Sequence, residues 1–132
     1  MSTLVLDASF AVTACRSTAG FAELDGHNLV APPLMWSEGR STIRQTHWRG
    51  EVAKADALAA YKRLASCPVT QRNPAELHDR AWRVAHDFGW AKTYDAEYVA
   101  LAEILDCRLV TIDGNLRRGA DRLGRVVTPE EL

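Results

Sequence analysis

Short apolar runs alternate along the chain with longer segments whose apolar residues recur every three or four positions. The runs predict five strands, at residues 4–6, 28–31, 69–70, 108–112 and 125–127. The longer segments predict helices. The first begins near residue 9, and the others cover residues 18–24, 34–49, 51–66, 73–88, 94–105 and 115–123. Strands separated by helices indicate an α/β protein with a parallel sheet of about five strands, covered by helices on both faces.

Capping residues refine the helix boundaries. Asn73 followed by Pro74 is a favourable helix start, and Thr93 is a suitable cap for the next helix. The apolar stripes of these two helices are expected to face the core. They consist of Leu77, Ala81, Val84, Ala85 and Phe88 in the first helix, and of Tyr98, Leu101, Ala102 and Leu105 in the second.

Three further apolar assignments concern the remaining helices and the tryptophans. Leu58, Tyr61 and Ala65 share one face of the alanine-rich helix. Trp82 is placed on the apolar stripe of its helix and is assigned to packing in the core or between two copies of the chain. Trp48 and Trp90 stand beside basic residues and are weaker candidates for contact with RNA or a partner.

Length and composition narrow the class of protein. A chain of 132 residues suits a single domain spanning residues 1–132. A net charge of −1 argues against a general polyanion binder, so contact with nucleic acid would have to use a local patch. No apolar stretch is long enough for a transmembrane helix, and the N-terminus lacks the basic region of a signal peptide. Three scattered cysteines fit a reducing cytoplasm better than a disulfide framework.

Four acids stand where a predicted strand ends or a predicted helix begins: Asp7, Glu38, Asp95 and Asp113. In a parallel sheet, the carboxyl ends of the strands and the first turns of the following helices lie on one edge, where ligands bind. Two carboxylates about 4 Å apart repel each other by roughly 4 kcal/mol at an effective dielectric near 20. If the four acids converge there without cationic side chains, a divalent metal ion is the simplest explanation.

The type of ligand indicates which metal and which reaction. Carboxylate oxygens favour Mg²⁺ or Mn²⁺, whereas zinc prefers cysteine and histidine. The fitting reaction is metal-assisted hydrolysis of a phosphodiester. The four histidines are scattered and belong to no nucleophilic Ser–His or Cys–His arrangement. Glu97 is a minor candidate, because a position two residues beyond Asp95 points away from that face of a helix.

The segments that carry these acids resemble PIN-domain ribonucleases. Leu4-Val5-Leu6-Asp7-Ala8-Ser9 is similar to the opening strand of that family, and Pro32 to Glu38 is similar to its second-acid segment. Residues 93–102, Thr-Tyr-Asp-Ala-Glu-Tyr-Val-Ala-Leu-Ala, resemble its third-acid helix, and residues 109–113, Leu-Val-Thr-Ile-Asp, its fourth-acid strand. The resemblance covers nearly the whole chain in the family's order. It is strongest to the compact VapC-type toxins of bacterial toxin–antitoxin pairs.

The resemblance implies a fold, an activity and partners. The fold would be a three-layer PIN-like sandwich, and the activity would be Mg²⁺-dependent endonucleolytic cleavage of RNA, with Mn²⁺ as a substitute. Asp7 and Asp95 would be the principal metal ligands, Asp113 would complete the site, and Glu38 would act through water. The resemblance also implies a homodimer, a small antitoxin protein that blocks the site, and a location in the cytoplasm.

Further residues receive supporting roles. Ser9 and Thr111 would hold the carboxylates by hydrogen bonds. Arg40 and Arg44, on the helix that carries Glu38, are candidates for contact with RNA. Gly39 and Arg40 depart from the apolar residues expected after the second acid, which makes Glu38 the least secure of the four acids.

Other protein classes with acids on a sheet edge can be compared with the same residues. A phosphatase of the haloacid-dehalogenase type needs an aspartate two residues after Asp7, where this chain has Ser9. A receiver domain needs a lysine after a late strand, and the three lysines, at 54, 62 and 92, stand elsewhere. A non-catalytic PIN-like module that binds RNA or protein remains an alternative, as does a nuclease of the same chemistry that acts on DNA.

Overall fold

The computed structural model describes residues 2–132 and contains a five-stranded parallel sheet. Its strands are β1 (Thr3–Leu6), β2 (Asn28–Ala31), β3 (Thr70–Gln71), β4 (Arg108–Val110) and β5 (Val126–Val127), in the spatial order β3-β2-β1-β4-β5. Val5 lies at the centre, opposite Val30 on one side and Leu109 on the other. These three residues are almost completely buried, as expected for a parallel sheet covered on both faces. The predicted α/β sheet is therefore confirmed.

Within the described part of the chain, residues 2–132, six α-helices connect the strands: α1 (Ala8–Cys15), α2 (Leu34–Trp48), α3 (Lys54–Ala65), α4 (Leu77–Phe88), α5 (Tyr94–Leu105) and α6 (Gly114–Gly119). Helices α1, α2 and α3 pack against one another, and α4 packs against α5. The chain runs outward from β1 to β3 and then returns past β1 to β4 and β5. Because parallel crossovers are right-handed, this reversal places the two groups of helices on opposite faces of the sheet.

Some predicted boundaries were wrong. Residues 18–24 form no α-helix and contain a single 3₁₀ turn at Ala22–Leu24, and residues 115–123 divide into α6 and a 3₁₀ turn at Asp121–Leu123. Asn73 does not cap α4, which begins four residues later at Leu77, and the side chain of Thr93 makes no capping bond to α5. Each of these segments has favourable local residues, but tertiary packing rather than capping residues determines where the helix starts.

The surface positions of α3 and α4 also differ from the prediction. Leu58 is 49% exposed and Tyr61 is 47% exposed, whereas Ala60 and Leu64 are the buried residues of α3. Leu58 with Tyr61, and Ala60 with Leu64, are two apolar stripes that are offset by one residue and fit the helical period equally well. The stripe of Ala60 and Leu64 contacts α1 and α2 and is therefore the buried one. Trp82 is 71% exposed, so it does not belong to the core within this chain. It is exposed because it is rotated by about 100° around the helix axis from the buried Ala81.

Apart from Trp82, the apolar stripes predicted on α4 and α5 are correct. Leu77, Ala81, Val84 and Ala85 are buried, and Phe88 is packed against the core. Tyr98, Leu101 and Ala102 are also buried, and α5 is in addition covered on most of its circumference, as its alanines and valine allow. Among residues 2–132, no helix is both long enough and apolar enough to cross a bilayer.

Candidate active site

Two of the four acids stand at the point where the strand order of the sheet reverses. Asp7 follows β1 directly and caps α1, accepting a hydrogen bond from the backbone N–H of Phe10 at 3.1 Å. Asp113 lies three residues beyond β4 and caps α6 through bonds from the backbone N–H groups of Asn115 and Leu116. Since β1 and β4 are adjacent and the chain leaves them in opposite directions, this edge is the expected ligand site of a parallel sheet.

The other two acids reach the same edge from opposite helix layers. Glu38 lies on α2, and Asp95 lies in the first turn of α5. Tyr98 of α5 donates a hydrogen bond from its hydroxyl group to Oε1 of Glu38 at 2.6 Å, which joins the two layers over the strand ends. Asp95 interacts electrostatically with Asp7, Asp113 and Glu38, so the four carboxylates form one acidic cluster.

Asp7 is held by three donors and is nearly inaccessible, with 4% of its surface exposed. Ser9 donates from its hydroxyl to Oδ1 at 2.8 Å, and Thr111 donates from its hydroxyl to Oδ2 at 2.5 Å. The hydroxyl of Thr111 in turn accepts a bond from the backbone N–H of Asp113 at 2.9 Å. Ser9 and Thr111 therefore both donate to Asp7, and Thr111 connects two of the acids.

The environment of the cluster disfavours its negative charge. Burial raises the pKa of Asp7 to about 6, although its three hydrogen bonds act in the opposite direction, and the charge of Asp95 contributes to the increase. The pKa of Asp95 is also raised, first by its partial burial and then by the charges of Asp113 and Glu38. Bringing these carboxylates together therefore costs free energy in the metal-free protein.

No basic side chain neutralises the cluster among the described residues 2–132. The ion pairs there use other acids: Glu97 with His78, Glu103 with Arg80, Asp121 and Glu131 with Arg117, and Asp106 with Arg125. Arg40 and Arg44, the candidates for RNA contact, are exposed on α2, and neither bonds to an acid within this part of the chain. Within residues 2–132, the four carboxylates therefore form no ion pair with a basic side chain.

The arrangement suits a hydrated divalent cation better than a closed metal cage. Within residues 2–132, no group of three or more His, Cys, Asp or Glu side chains is close enough to surround an ion as the side chains stand. Mg²⁺ usually retains several waters and uses one or two carboxylates, so it needs fewer protein ligands than zinc does. The hard oxygen donors of Asp7 and Asp95, and their lack of a cationic partner, fit such an ion.

Two residues near the cluster were missed or misjudged from the sequence. Tyr98 was assigned to the buried stripe alone, yet its hydroxyl bonds to Glu38. A buried tyrosine needs a partner for its hydroxyl group, and this requirement was a usable signal. Glu97 was kept only as a minor candidate, because it was expected to face away from Asp95. Burial raises its pKa, the neighbouring His78 lowers it, and the charge of Glu38 raises it further, so Glu97 interacts electrostatically with one of the four acids.

Gly39, one of the two residues that made Glu38 the least secure acid, has a structural explanation. A β-carbon at this position would lie 2.8 Å from Cδ2 of Leu64 and 3.6 Å from Cγ2 of Val12. Leu64 is fully buried, so it has little freedom to move away. The glycine therefore allows α2 to approach α1 and α3 closely at the position next to Glu38.

The five-stranded parallel sheet, with acids at its point of reversal, defines a PIN-like α/β protein. In a comparison with solved structures, the chain is similar to the crystal structure of PAE2754 from Pyrobaculum aerophilum, with a TM-score of 0.74 over 98% of this chain and 92% of that one. The sequence identity is 24%, so this likeness bears on the fold. No protein-family model matches the chain.

Curated relatives give a closer relationship. The chain is 37% identical over 114 residues to VapC ribonuclease Mb0985 of Mycobacterium bovis, covering 83% of this chain and 85% of the relative. Ribonuclease VapC9 of Mycobacterium tuberculosis shows the same identity over the same shares. At this level of identity and coverage, the chain belongs to the family of VapC ribonucleases.

Proposed function

We propose that this protein is a Mg²⁺-dependent endoribonuclease and the toxic component of a type II toxin–antitoxin system. The observation that carries the proposal is the cluster of Asp7, Glu38, Asp95 and Asp113 at the reversal point of the sheet, without a basic partner in the described residues. Membership of the VapC family supports RNA as the substrate and a small antitoxin as the partner. The protein would act in the cytoplasm as a single domain that pairs into a homodimer.

Asp7 and Asp95 would hold the metal ion, and Asp113 would complete the site with Oδ2, since its Oδ1 accepts the bonds that cap α6. A bound Mg²⁺ or Mn²⁺ would supply a water of lowered pKa and stabilise the leaving oxygen of the phosphodiester. Ser9 and Thr111 fix both oxygens of Asp7, so its lone pairs keep one orientation.

Glu38 would bind and orient the attacking water. Its Oε1 is occupied by the hydroxyl of Tyr98, which limits rotation of the carboxylate and leaves Oε2 for the water. Arg40 and Arg44, exposed on the same helix, would contact phosphates of the RNA on either side of the cleaved bond. Such contacts make binding weaker as the salt concentration rises.

Cleavage of a mixed-sequence RNA tests the enzymatic part of the proposal. Wild-type protein is compared with Asp7→Asn and with Asp25→Asn, whose acid is exposed in the connection before β2, at the edge of the sheet opposite the strand ends that carry the cluster. We expect cleavage by the wild type and by Asp25→Asn in Mg²⁺ or Mn²⁺, no cleavage in EDTA, and at least a ~100-fold loss in Asp7→Asn. Full activity of Asp7→Asn, or unchanged cleavage in EDTA, would contradict the proposal.

Expression in a bacterial host tests the toxin role separately. We expect induction of the wild type to arrest growth, induction of Asp7→Asn to leave growth unchanged, and a co-expressed antitoxin from the same operon to restore growth. Normal growth in the presence of soluble protein that cleaves RNA in vitro would retain the nuclease and reject the toxin role. Metal-independent RNA binding without cleavage would favour the non-catalytic module.

A further inference from the structure

A groove with a volume of about 480 Å³ opens beside the acidic cluster. Its walls come from four parts of the chain: the connection between α4 and α5, the first turn of α5, the start of α6, and α2. Glu38 and Asp95 belong both to the cluster and to this groove. A ligand in the groove would therefore be in contact with the site where the phosphodiester is proposed to be cleaved. The volume falls within the range of sites for one small organic ligand.

One aromatic wall of the groove is rigid. Trp90 stacks on Phe88, with ring centroids 5.0 Å apart and an interplanar angle of 19°. The guanidinium of Arg122 lies 3.9 Å from the centroid of the Phe88 ring, so Phe88 contacts both residues. The backbone N–H of Trp90 donates to the carbonyl of Ala85 at 2.8 Å. On the side of α6, a β-carbon at Gly119 would lie 3.6 Å from Cζ2 of Trp90, so the ring is in van der Waals reach of that helix.

The second aromatic residue of the groove is exposed. Tyr94 immediately precedes Asp95 and is 51% exposed, although it lies at the start of a helix that is otherwise mostly buried. Its hydroxyl makes no hydrogen bond with the described residues 2–132, unlike that of Tyr98 one turn further on. An aromatic ring that is half exposed beside a groove is available for stacking, and nothing in the packing of α5 requires it there.

Polar groups complete the groove. Lys92 is exposed and forms no salt bridge within residues 2–132, so its positive charge faces a groove whose other charged residues are acids. Asn115 lines the opposite wall, and its side-chain oxygen accepts a bond from Arg118 at 3.0 Å, which orients the amide. Aromatic surface, one cation and one oriented amide match the base, the phosphate and the base edge of a nucleotide.

We propose that this groove binds one unpaired nucleotide of the RNA next to the cleaved bond, with its base stacked on Tyr94. Trp90 forms the rigid wall of the subsite, Lys92 pairs with the phosphate of that nucleotide, and Asn115 contacts the edge of the base. The proposal rests on the proposed nuclease function, since the groove shares Glu38 and Asp95 with that site. It predicts that the enzyme requires a base at one fixed position of a single-stranded substrate.

The test combines a protein change with a change in the RNA. The probes are a fluorescein-labelled single-stranded RNA that the wild type cleaves at one site, and a series of the same RNA with one abasic nucleotide at each position in turn. Binding is measured in the non-cleaving Asp7→Asn background, with and without Tyr94→Ala. We expect Tyr94→Ala to weaken binding of the intact RNA about 10-fold, within the range for loss of one base stack. One abasic position next to the cleaved bond should weaken binding similarly, and Tyr94→Ala should add nothing there.

Two variants separate stacking from other effects. Tyr94→Phe keeps the ring and should bind as tightly as the parent, whereas Tyr61→Ala removes a tyrosine of similar exposure on α3 and should change nothing. In the cleaving enzyme, Tyr94→Ala should raise KM with little change in kcat. Equal affinity of Tyr94→Ala and its parent, or a penalty that every abasic position shares, would overturn the subsite. Absence of metal-dependent cleavage by the wild type would reject the proposed function instead. The same binding cycle, run on a labelled single-stranded RNA that the protein binds without cleaving, would then decide the subsite, because one abasic position should still weaken binding and Tyr94→Ala should add nothing there.

Discussion

Asp7 is the residue whose ionisation links the stability of this protein to its proposed chemistry. Its pKa lies near 6 in the folded chain and near 3.8 when the group is unperturbed. A pKa raised by folding means that the folded state binds the proton more tightly, so stability falls as the pH rises through this interval. The cost at pH 8 is on the order of 3 kcal/mol in the absence of metal.

The substitution Asp7→Asn removes that cost and keeps one acceptor oxygen for the neighbouring hydroxyl groups. In metal-free buffer we expect the variant to melt above the wild type at pH 8, and the difference to shrink toward zero at pH 4. Thermal denaturation followed by circular dichroism measures both values, with Asp25→Asn as the exposed control. An equal destabilisation of Asp7→Asn at both pH values would show that hydrogen bonding, and not charge, dominates at this position.

Thr111 acts on the cluster through its hydroxyl group, which bonds to Asp7 and accepts from the backbone of Asp113. Thr111→Val has nearly the same shape but lacks both bonds, whereas Thr111→Ser retains them. If Asp7 is a metal ligand, we expect Thr111→Val to lower Mn²⁺ affinity by about 10- to 100-fold, and Thr111→Ser to lower it much less. Titration calorimetry gives the affinities, and equal values for the valine variant and the wild type would remove Thr111 from the site.

The residues that the sequence could predict are those whose chemistry conflicts with their position. Asp7 and Asp113 each follow an apolar run that predicts a buried strand, where an unpaired carboxylate is costly, and this conflict is visible without a structure. The bond from Tyr98 to Glu38 joins residues 60 positions apart on different helices. Such a contact depends on how the two helix layers meet, and the pattern of either helix alone contains no information about it.

Helix α2 carries a glycine, Gly39, at a point where a side chain would meet a buried neighbour. Alanine at position 39 would gain about 1 kcal/mol of helix propensity, but its β-carbon would lie 2.8 Å from Leu64. Overpacking of a buried contact costs about 1–3 kcal/mol, so we expect Gly39→Ala to be destabilising by about 1 kcal/mol. In a Leu64→Ala background the space is free, and there Gly39→Ala should be stabilising.

Urea denaturation of the four proteins in this cycle gives the coupling between the two sites. A change of sign between the backgrounds would identify the Gly39–Leu64 contact as the reason for glycine beside Glu38. If Gly39→Ala is stabilising in both backgrounds, α2 has room at this point, and the close approach does not determine where Glu38 lies. RNA cleavage by Gly39→Ala, measured at a temperature where it is folded, reports whether Glu38 has moved.

The strands were more predictable than the helices for a physical reason. A strand of a parallel sheet is buried on both faces, so Leu4-Val5-Leu6 reads as a continuous apolar run. The face of a helix such as α3 is chosen by its neighbours, and two stripes one residue apart, Leu58 with Tyr61 and Ala60 with Leu64, compete on equal terms. Packing against α1 and α2 decided between them, which no local pattern could show.

At the scale of the whole molecule, a net charge of −1 conceals an uneven distribution, with four carboxylates at one edge of the sheet. A divalent cation that binds this edge in the folded state alone must raise the stability of the whole chain by linkage. A concentration of 100 times the dissociation constant adds about 2.7 kcal/mol, which corresponds to a rise of several degrees in Tm for a domain of this size.

We therefore expect Mg²⁺ or Mn²⁺ to raise the Tm of the wild type at pH 8 and to raise it progressively less as the pH falls below 6. The proton that Asp7 binds at low pH competes with the metal, so the pH dependence of the metal-induced rise in Tm must follow the protonation of Asp7. Differential scanning fluorimetry across this pH range, with Ca²⁺ and with the Asp7→Asn variant as comparisons, measures the effect. A metal-induced shift in Tm that persists unchanged in Asp7→Asn would place the cation elsewhere on the molecule. The proposal that the acidic cluster is catalytic would then lose its main support.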